Sequence, residues 1–166
     1  MTEAFLFYKV DRYDVAGKKP MGSHEKYYPA DTGLARAVLD RGISDISRPL
    51  ESIVFMELMR RGYRVRVGSF RGREVDFTAE KNGRIEYYQV CLTMLDDTAF
   101  NREIRSLNAI RDNYPKIVLS LDPIARDVPD GLIHKNAVEW LADPGARMPN
   151  PAQSSALFDT PYISFQ

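Results

Sequence analysis

Asn82-Gly83 is the strongest short hairpin signal in the chain, and it fixes which side chains can act together. With these two residues as the loop, Lys81 faces Arg84 across the hairpin and Asp76 faces Gln89. Directly opposed residues hold their Cβ atoms about 4.5–5.5 Å apart, so a carboxylate and an amide oxygen are expected side by side. Strand alternation sets Asp76 on the face opposite Val75 and Phe77, and Gln89 on the face of Ile85, Tyr87 and Cys91. Such a pair is half of a site for a hard divalent cation such as Mg²⁺, which prefers oxygen ligands. A third oxygen is expected from Glu51, which falls near Val54, Phe55 and Leu58 on the helical wheel. Glu57 is the alternative if Met56 and Met59 are left out of the apolar average. A buried, unpaired carboxylate costs several kcal/mol, so whichever glutamate faces inward needs a cation, an arginine or a proton. The plainer reading is a polar network in which Gln89 only satisfies Asp76 by hydrogen bonding.

Arginine is concentrated at positions 60, 61, 64, 66, 71 and 73, with no acid before Glu74. Arg64, Arg66, Arg71 and Arg73 form a candidate ridge for nucleic-acid phosphates, and a solvated helix end and edge strand explain them equally well. Cys91 reads as a half-buried core residue. His24 and His134 sit in no recognisable motif and read as incidental.

The elements that must position these groups follow from the spacing of apolar residues. Residues 4–10 read as a strand, and a polar stretch with Gly17, Pro20 and Gly22 connects it to a return strand at Lys26-Tyr27-Tyr28. Asp31 or Thr32 caps a short helix with Leu34, Val38 and Leu39. Ser47 opens a stronger helix with Pro49 in its first turn, Gly62 beyond its end, and Leu50, Ile53, Val54 and Leu58 as its stripe. Strands at 63–67, 73–80 and 84–92 follow, with apolar residues alternating in the first two. Asp96 or Asp97 then caps a helix bearing Phe100, Ile104, Leu107 and Ile110, which stops near Pro115. Ile117-Val118-Leu119 reads as a buried parallel strand after a right-handed crossover. A strand at Leu132-Ile133 and a helix with Val138, Trp140 and Leu141 close the fold. The expected organisation is a hairpin–helix appendage over 1–45, an α/β core over 46–143, and a tail over 144–166 rich in Pro, Ser and Asn.

At 166 residues and 44% hydrophobic content, the chain can bury one substantial core. Lys plus Arg equal Asp plus Glu at 23 each, which excludes a bulk polycation but leaves a local basic patch open. One cysteine excludes an intrachain disulfide, and one cysteine with two histidines argues against a structural zinc site. No signal peptide is read at the N-terminus, and no apolar run approaches the roughly 20 residues of a membrane helix. The expected setting is cytoplasmic, with no membrane partner.

Glu51 on a helix, Glu74-Val75-Asp76-Phe77 on a strand and Tyr88-Gln89-Val90-Cys91 on the next resemble the PD-(D/E)XK, or restriction-endonuclease-like, pattern. Phe7-Tyr8-Lys9-Val10-Asp11-Arg12-Tyr13-Asp14, Lys26-Tyr27-Tyr28, Asp31-Thr32-Gly33-Leu34, Leu50-Glu51 and Arg111-Asp112-Asn113-Tyr114-Pro115-Lys116 narrow the resemblance. They are similar to an uncharacterised domain found C-terminal to the ATPase core and winged helix of bacterial and archaeal AAA-type ATPases. The similarity runs from about Phe5 to Leu141. It implies a mixed sheet flanked by helices, with Glu51 as the helix carboxylate, Asp76 as the central metal ligand and Gln89 at the Asp/Glu position. Active members carry a lysine two residues later that activates the attacking water; here that residue is Cys91. Gln89 also removes one negative charge, which weakens Mg²⁺ binding. Arg102 or Arg105 would be the candidates for a migrated cation.

The chain contains no G-x-x-x-x-G-K-[S/T] and so has no ATP site of its own. The resemblance makes it the C-terminal portion of such an ATPase, beginning at the end of the winged helix. Three functions follow as expectations. The leading one is a catalytically degenerate, nuclease-like domain that contacts DNA, an ATPase or another protein. Its rivals are an active Mg²⁺-dependent nuclease using Asp76, Gln89 and Glu51, and an interaction module without nucleic-acid contact.

Overall fold

The computed structural model describes residues 7–33 and 47–143. The short helix expected to carry Leu34, Val38 and Leu39, and the tail from Pro144, lie outside the described residues. A seven-stranded sheet in the order β2-β1-β3-β4-β5-β6-β7 organises the rest. Its strands are β1 (Phe7–Asp14), β2 (Lys19–Pro29), β3 (Arg64–Phe70), β4 (Arg73–Lys81), β5 (Arg84–Val90), β6 (Lys116–Ser120) and β7 (Leu132–Asn136). Among the described residues three helices flank it: α1 (Ser47–Arg60), α2 (Asp97–Ala109) and α3 (Ala137–Ala142). The result is a mixed α/β, restriction-endonuclease-like sheet with helices on both faces. No helix among the described residues is long and apolar enough to cross a membrane.

Pairing is antiparallel from β3 to β5 and parallel from β5 to β7. The connection from β5 to β6 carries α2, as a parallel crossover requires. The N-terminal hairpin is not a detached appendage. Its first strand runs parallel to β3 through Arg12↔Val67, Tyr13↔Gly68 and Asp14↔Ser69, so the hairpin extends the core sheet. That pairing carries Lys26 and Tyr28 of β2 over the same sheet face as α1.

Two apolar layers separate the faces. Leu50, Val54, Phe55 and Leu58 of α1 pack with Phe77, Ala79, Tyr88 and Val90, and α3 adds Trp140 to this side. Ile53, expected in the same stripe, is 42% exposed. Arg61, just past α1, ties it to α3: its guanidinium lies 4.0 Å from the Trp140 ring centroid, bonds the Trp140 carbonyl and pairs with Glu57. On the opposite face Ile104, Leu107 and Ile110, from α2 and its C-cap, cover Val75, Tyr87 and Val118. Asp96 caps α2 by accepting the Thr98 and Ala99 N–H groups.

The Asn82-Gly83 turn has φ of 52° and 74°, the pair of positive values that a type I′ turn needs. The hairpin register is the expected one from Lys81↔Arg84 to Phe77↔Tyr88. The strands then depart from simple alternation. Across β3 and β4, Arg66 pairs Thr78 but Gly68 pairs Val75, so β4 holds one extra residue at Asp76-Phe77. This β-bulge switches faces: Val75 packs against α2, whereas Phe77 packs against α1. The expectation that Val75 and Phe77 share a face is therefore corrected.

Gly68 allows the close strand approach beside the bulge. A Cβ added there would stand 2.9 Å from Val75 Cβ and 3.2 Å from the Val75 carbonyl oxygen, neither of which can swing aside. Gly68→Ala is accordingly expected to destabilise the protein by about 1–3 kcal/mol, read from the urea midpoint. A change below about 0.5 kcal/mol would mean that the β3–β4 spacing at the bulge is not tight.

Candidate functional site

The bulge is what opens the site. Regular pairing of β4 with β5 stops at Phe77↔Tyr88, one step short of the expected Asp76↔Gln89 pair. Asp76 instead turns its carboxylate to the β5 backbone and accepts the Val90 N–H at 2.8 Å. A cleft of about 490 Å³ is lined by Glu51, Asp76 and Gln89, together with Cys91, Thr93, Arg102 and Glu103. Glu51 reaches it from α1, Gln89 from β5 and Glu103 from α2. The three residues singled out from sequence thus share one cavity, although Asp76 and Gln89 do so across parted strands rather than within a ladder.

Glu57 does not join them. It is clamped by Arg60 at 2.6 Å and by Arg61 at 2.7 Å, and hydrogen bonding from Arg60, against the opposing effect of burial, holds its carboxyl below the usual range. Gln89 does not satisfy Asp76 either. Its amide lies 3.4 Å from Glu103, and its oxygen is 3.5 Å from the Ser106 hydroxyl.

Sequence reasoning missed the strongest partner of the cleft's Glu51. Lys26 Nζ lies 2.5 Å from Glu51 Oε1 and 3.1 Å from Glu74, while the Tyr28 hydroxyl donates to the same Glu51 oxygen at 2.5 Å. Arg12 closes the far side of Glu74 at 2.7 Å. Burial pulls the Lys26 ammonium pKa down, but the bond and charge of Glu51, with Glu74, more than offset this and leave it raised. The signal was present in the alternation of β2, which puts Lys26 and Tyr28 on one face. Reading it required knowing that the hairpin joins the sheet.

Asp76 has the opposite environment. Burial, followed by the negative charge of Glu51, pushes its carboxyl up from 3.8 to about 7, against the Val90 N–H that favours ionisation. The Cys91 thiol is buried and pushed up to about 12, chiefly by desolvation, so it is neither a nucleophile nor a substitute for a lysine. Of the proposed migrated cations, Arg102 borders the cleft but pairs with Glu103 at 2.8 Å, its side chain 77% exposed. Arg105 faces a different cavity.

Two carboxylates and an amide oxygen are the hard donors that Mg²⁺ takes. Their surroundings do not fit it as built, because Lys26 already holds Glu51 and the Val90 N–H engages Asp76. Among the described residues no group of three or more His, Cys, Asp and Glu side chains is arranged to hold a metal ion. The internal ammonium supplies the positive charge that a divalent ion would bring.

The arginine ridge divides. Arg66 is buried, pairs with Glu80 at 3.2 Å and lies 5.1 Å from the Tyr13 ring centroid, so it is corrected from a phosphate ligand to a packing residue. Arg64, Arg71 and Arg73 are exposed, with Arg71 at the β3–β4 turn against Phe70.

His134 is also not incidental. Its Nδ1 accepts the Arg126 N–H at 2.8 Å, which leaves the proton of the neutral ring on Nε2, 2.8 Å from Ser120 Oγ. Ser120 in turn donates to Asp122 at 2.8 Å, and Asp122 also holds Thr93 and the Met94 N–H. These residue types suggest a hydrolytic triad, but the imidazole gives a proton toward the serine instead of taking one, and Ser120 is fully buried. The network fastens the segment after β5, which forms one wall of the cleft.

Compared with known proteins, the chain is 38% identical over 141 residues to an uncharacterized protein of Haemophilus influenzae, a match covering 85% of this chain. The chain spans about a third of that relative's length, 34%. No family model and no solved structure matches it.

Proposed function

We propose that the chain is a nuclease-like domain that has given up metal-dependent hydrolysis and retains nucleic-acid association, related to the C-terminal domain of AAA-type ATPases. One observation carries this reading: Glu51, Asp76 and Gln89 share a cleft, and Lys26 is lodged on its Glu51. Gln89 and Cys91 point the same way, since one removes a ligand charge and the other removes the basic group beside it. Contact with an ATPase or another protein belongs to the same proposal and rests on the sequence resemblance.

Supercoiled-plasmid nicking in Mg²⁺ and in Mn²⁺, with Asp76→Asn as control, tests the proposal. The expected result is no nicking above the control, together with duplex retention that weakens steeply with salt. Lys26 also favours a second reading, because it places beside the carboxylates the ammonium that position 91 lacks. Nicking abolished by Asp76→Asn and by Lys26→Met would establish that active alternative and overturn the first.

A further inference from the structure

We propose that a second cleft, framed by Arg73, Arg105 and Arg111, binds phosphate groups. It has a volume of about 430 Å³, within the range of small-ligand pockets, and its remaining lining is Asn101, Asn108, Ile104 and Ala109. Arg73 opens β4, Arg105 and Asn108 lie on α2, and Arg111 follows the α2 C-cap. Ile104 is buried, so an apolar floor carries a rim of exposed guanidinium groups.

The charge pattern makes this a site instead of an ordinary basic surface. Among the described residues no carboxylate lines the cleft, and none of its three arginine side chains makes a hydrogen bond or ion pair. Among the described residues six other arginines are engaged: Arg12 with Glu74, Arg60 and Arg61 with Glu57, Arg66 with Glu80, Arg102 with Glu103 and Arg126 with Asp97. The neighbouring acids are also occupied. Glu74 holds Arg12 and Lys26, and Asp112 accepts from Tyr87, Lys116 and the Tyr114 N–H. In a chain of zero formal net charge, three arginines without acidic partners among the described residues line one concavity. Their planar forks suit the oxygens of a phosphate, and the Asn108 amide adds a neutral donor.

Phosphate could arrive on a nucleic-acid backbone or as a free phosphorylated small molecule. In the first case the inference deepens the proposed nucleic-acid reading, because α2 lines both clefts: Arg102 and Glu103 face the carboxylate cleft, and Arg105 and Asn108 the arginine cleft. Arg73 and Asp76 stand three residues apart on β4, about 10 Å at strand rise. A strand held at Arg73 would therefore pass the carboxylate cleft.

The test is fluorescence anisotropy of a labelled duplex at several salt concentrations, with inorganic phosphate and a mononucleotide titrated separately by thermal shift. Wild type is compared with Arg105→Gln/Arg111→Gln, with Arg84→Gln/Lys135→Gln as an equal-charge control elsewhere, and with Asp76→Asn. Arg84, Arg105, Arg111 and Lys135 are exposed, and among the described residues their side chains make no hydrogen bond or ion pair, so the variants should fold normally, with an unchanged urea midpoint. The cleft variant is expected to lose about tenfold in duplex affinity and to flatten the log–log salt slope by about two, with less than a twofold change in the control. Phosphate or nucleotide stabilisation lost in the cleft variant, without an effect on duplex, would assign the site to a free phosphorylated molecule. Unchanged binding of all three probes, or equal loss in the control, would overturn the inference. Duplex binding that depends on Asp76 but not on Arg105 and Arg111 would sink the arginine site alone and leave the carboxylate-cleft reading standing.

Discussion

Lys26→Met is expected to destabilise the protein by about 2–3 kcal/mol at neutral pH and, at the same time, to make the cleft responsive to divalent cations. The first effect follows from the charges left behind. Glu51 and Glu74 lose their shared ammonium, and their side chains are 16% and 37% exposed. Removing one member of a fully buried ion pair costs about 3–5 kcal/mol. The lower figure reflects the 31% exposure of Lys26 and the support that Arg12 and Tyr28 still give. The second effect has the same origin, since uncompensated oxygens facing a polar cleft are what a divalent ion binds. Millimolar Mn²⁺ should raise the thermal midpoint of Lys26→Met by several degrees and leave wild type nearly unmoved. Equal responses in the two proteins would show that Lys26 does not stand in for an ion.

Asp76→Asn is expected to remove a pH dependence that the wild-type protein shows. In the folded state the Asp76 carboxyl binds its proton up to about pH 7, whereas in the unfolded chain it releases it near 3.8. Between these values the folded state holds more protons, so stability falls as pH rises, and it levels off above about 7. At about 1.36 kcal/mol per pH unit the full effect is at most about 4 kcal/mol. Asparagine retains an oxygen for the Val90 N–H and carries no charge beside Glu51. Urea unfolding between pH 4.5 and 8, both within the range of ordinary buffers, should give a declining curve for wild type and a flatter one for the variant. The variant should be the more stable protein at pH 8, by about 2 kcal/mol or more. Parallel curves would mean that Asp76 is ionised throughout.

The larger part of this architecture could be read without coordinates, because its signals are local. Asn82-Gly83 specifies its own turn, Asp96 or Asp97 marks the helix start and Asp96 proves to be the cap, and Ile117-Val118-Leu119 reads as a buried parallel strand and is one. The site was legible in its membership but not in its geometry. The bulge at Asp76-Phe77 arises from β3 and β4 together, and period-two counting along β4 alone cannot find an added residue. Lys26 was missed for a similar reason: its role depends on β1 pairing with β3, a contact between segments more than fifty residues apart. Arg66 was misassigned because its ring contact and its acid, Tyr13 and Glu80, come from two other strands. Charge density along a sequence does not reveal which cations already have partners.

The bulge, the parted strands and Lys26 combine into one statement: the positive charge of the Glu51–Asp76–Gln89 cleft is built into the protein. Crystals grown in Mn²⁺ and read by anomalous scattering address it directly. The expected map has no manganese peak within about 2.0–2.6 Å of Asp76, with the Lys26 ammonium still seated on Glu51. A peak bridging Asp76 and Glu51, with Lys26 swung away, would contradict it.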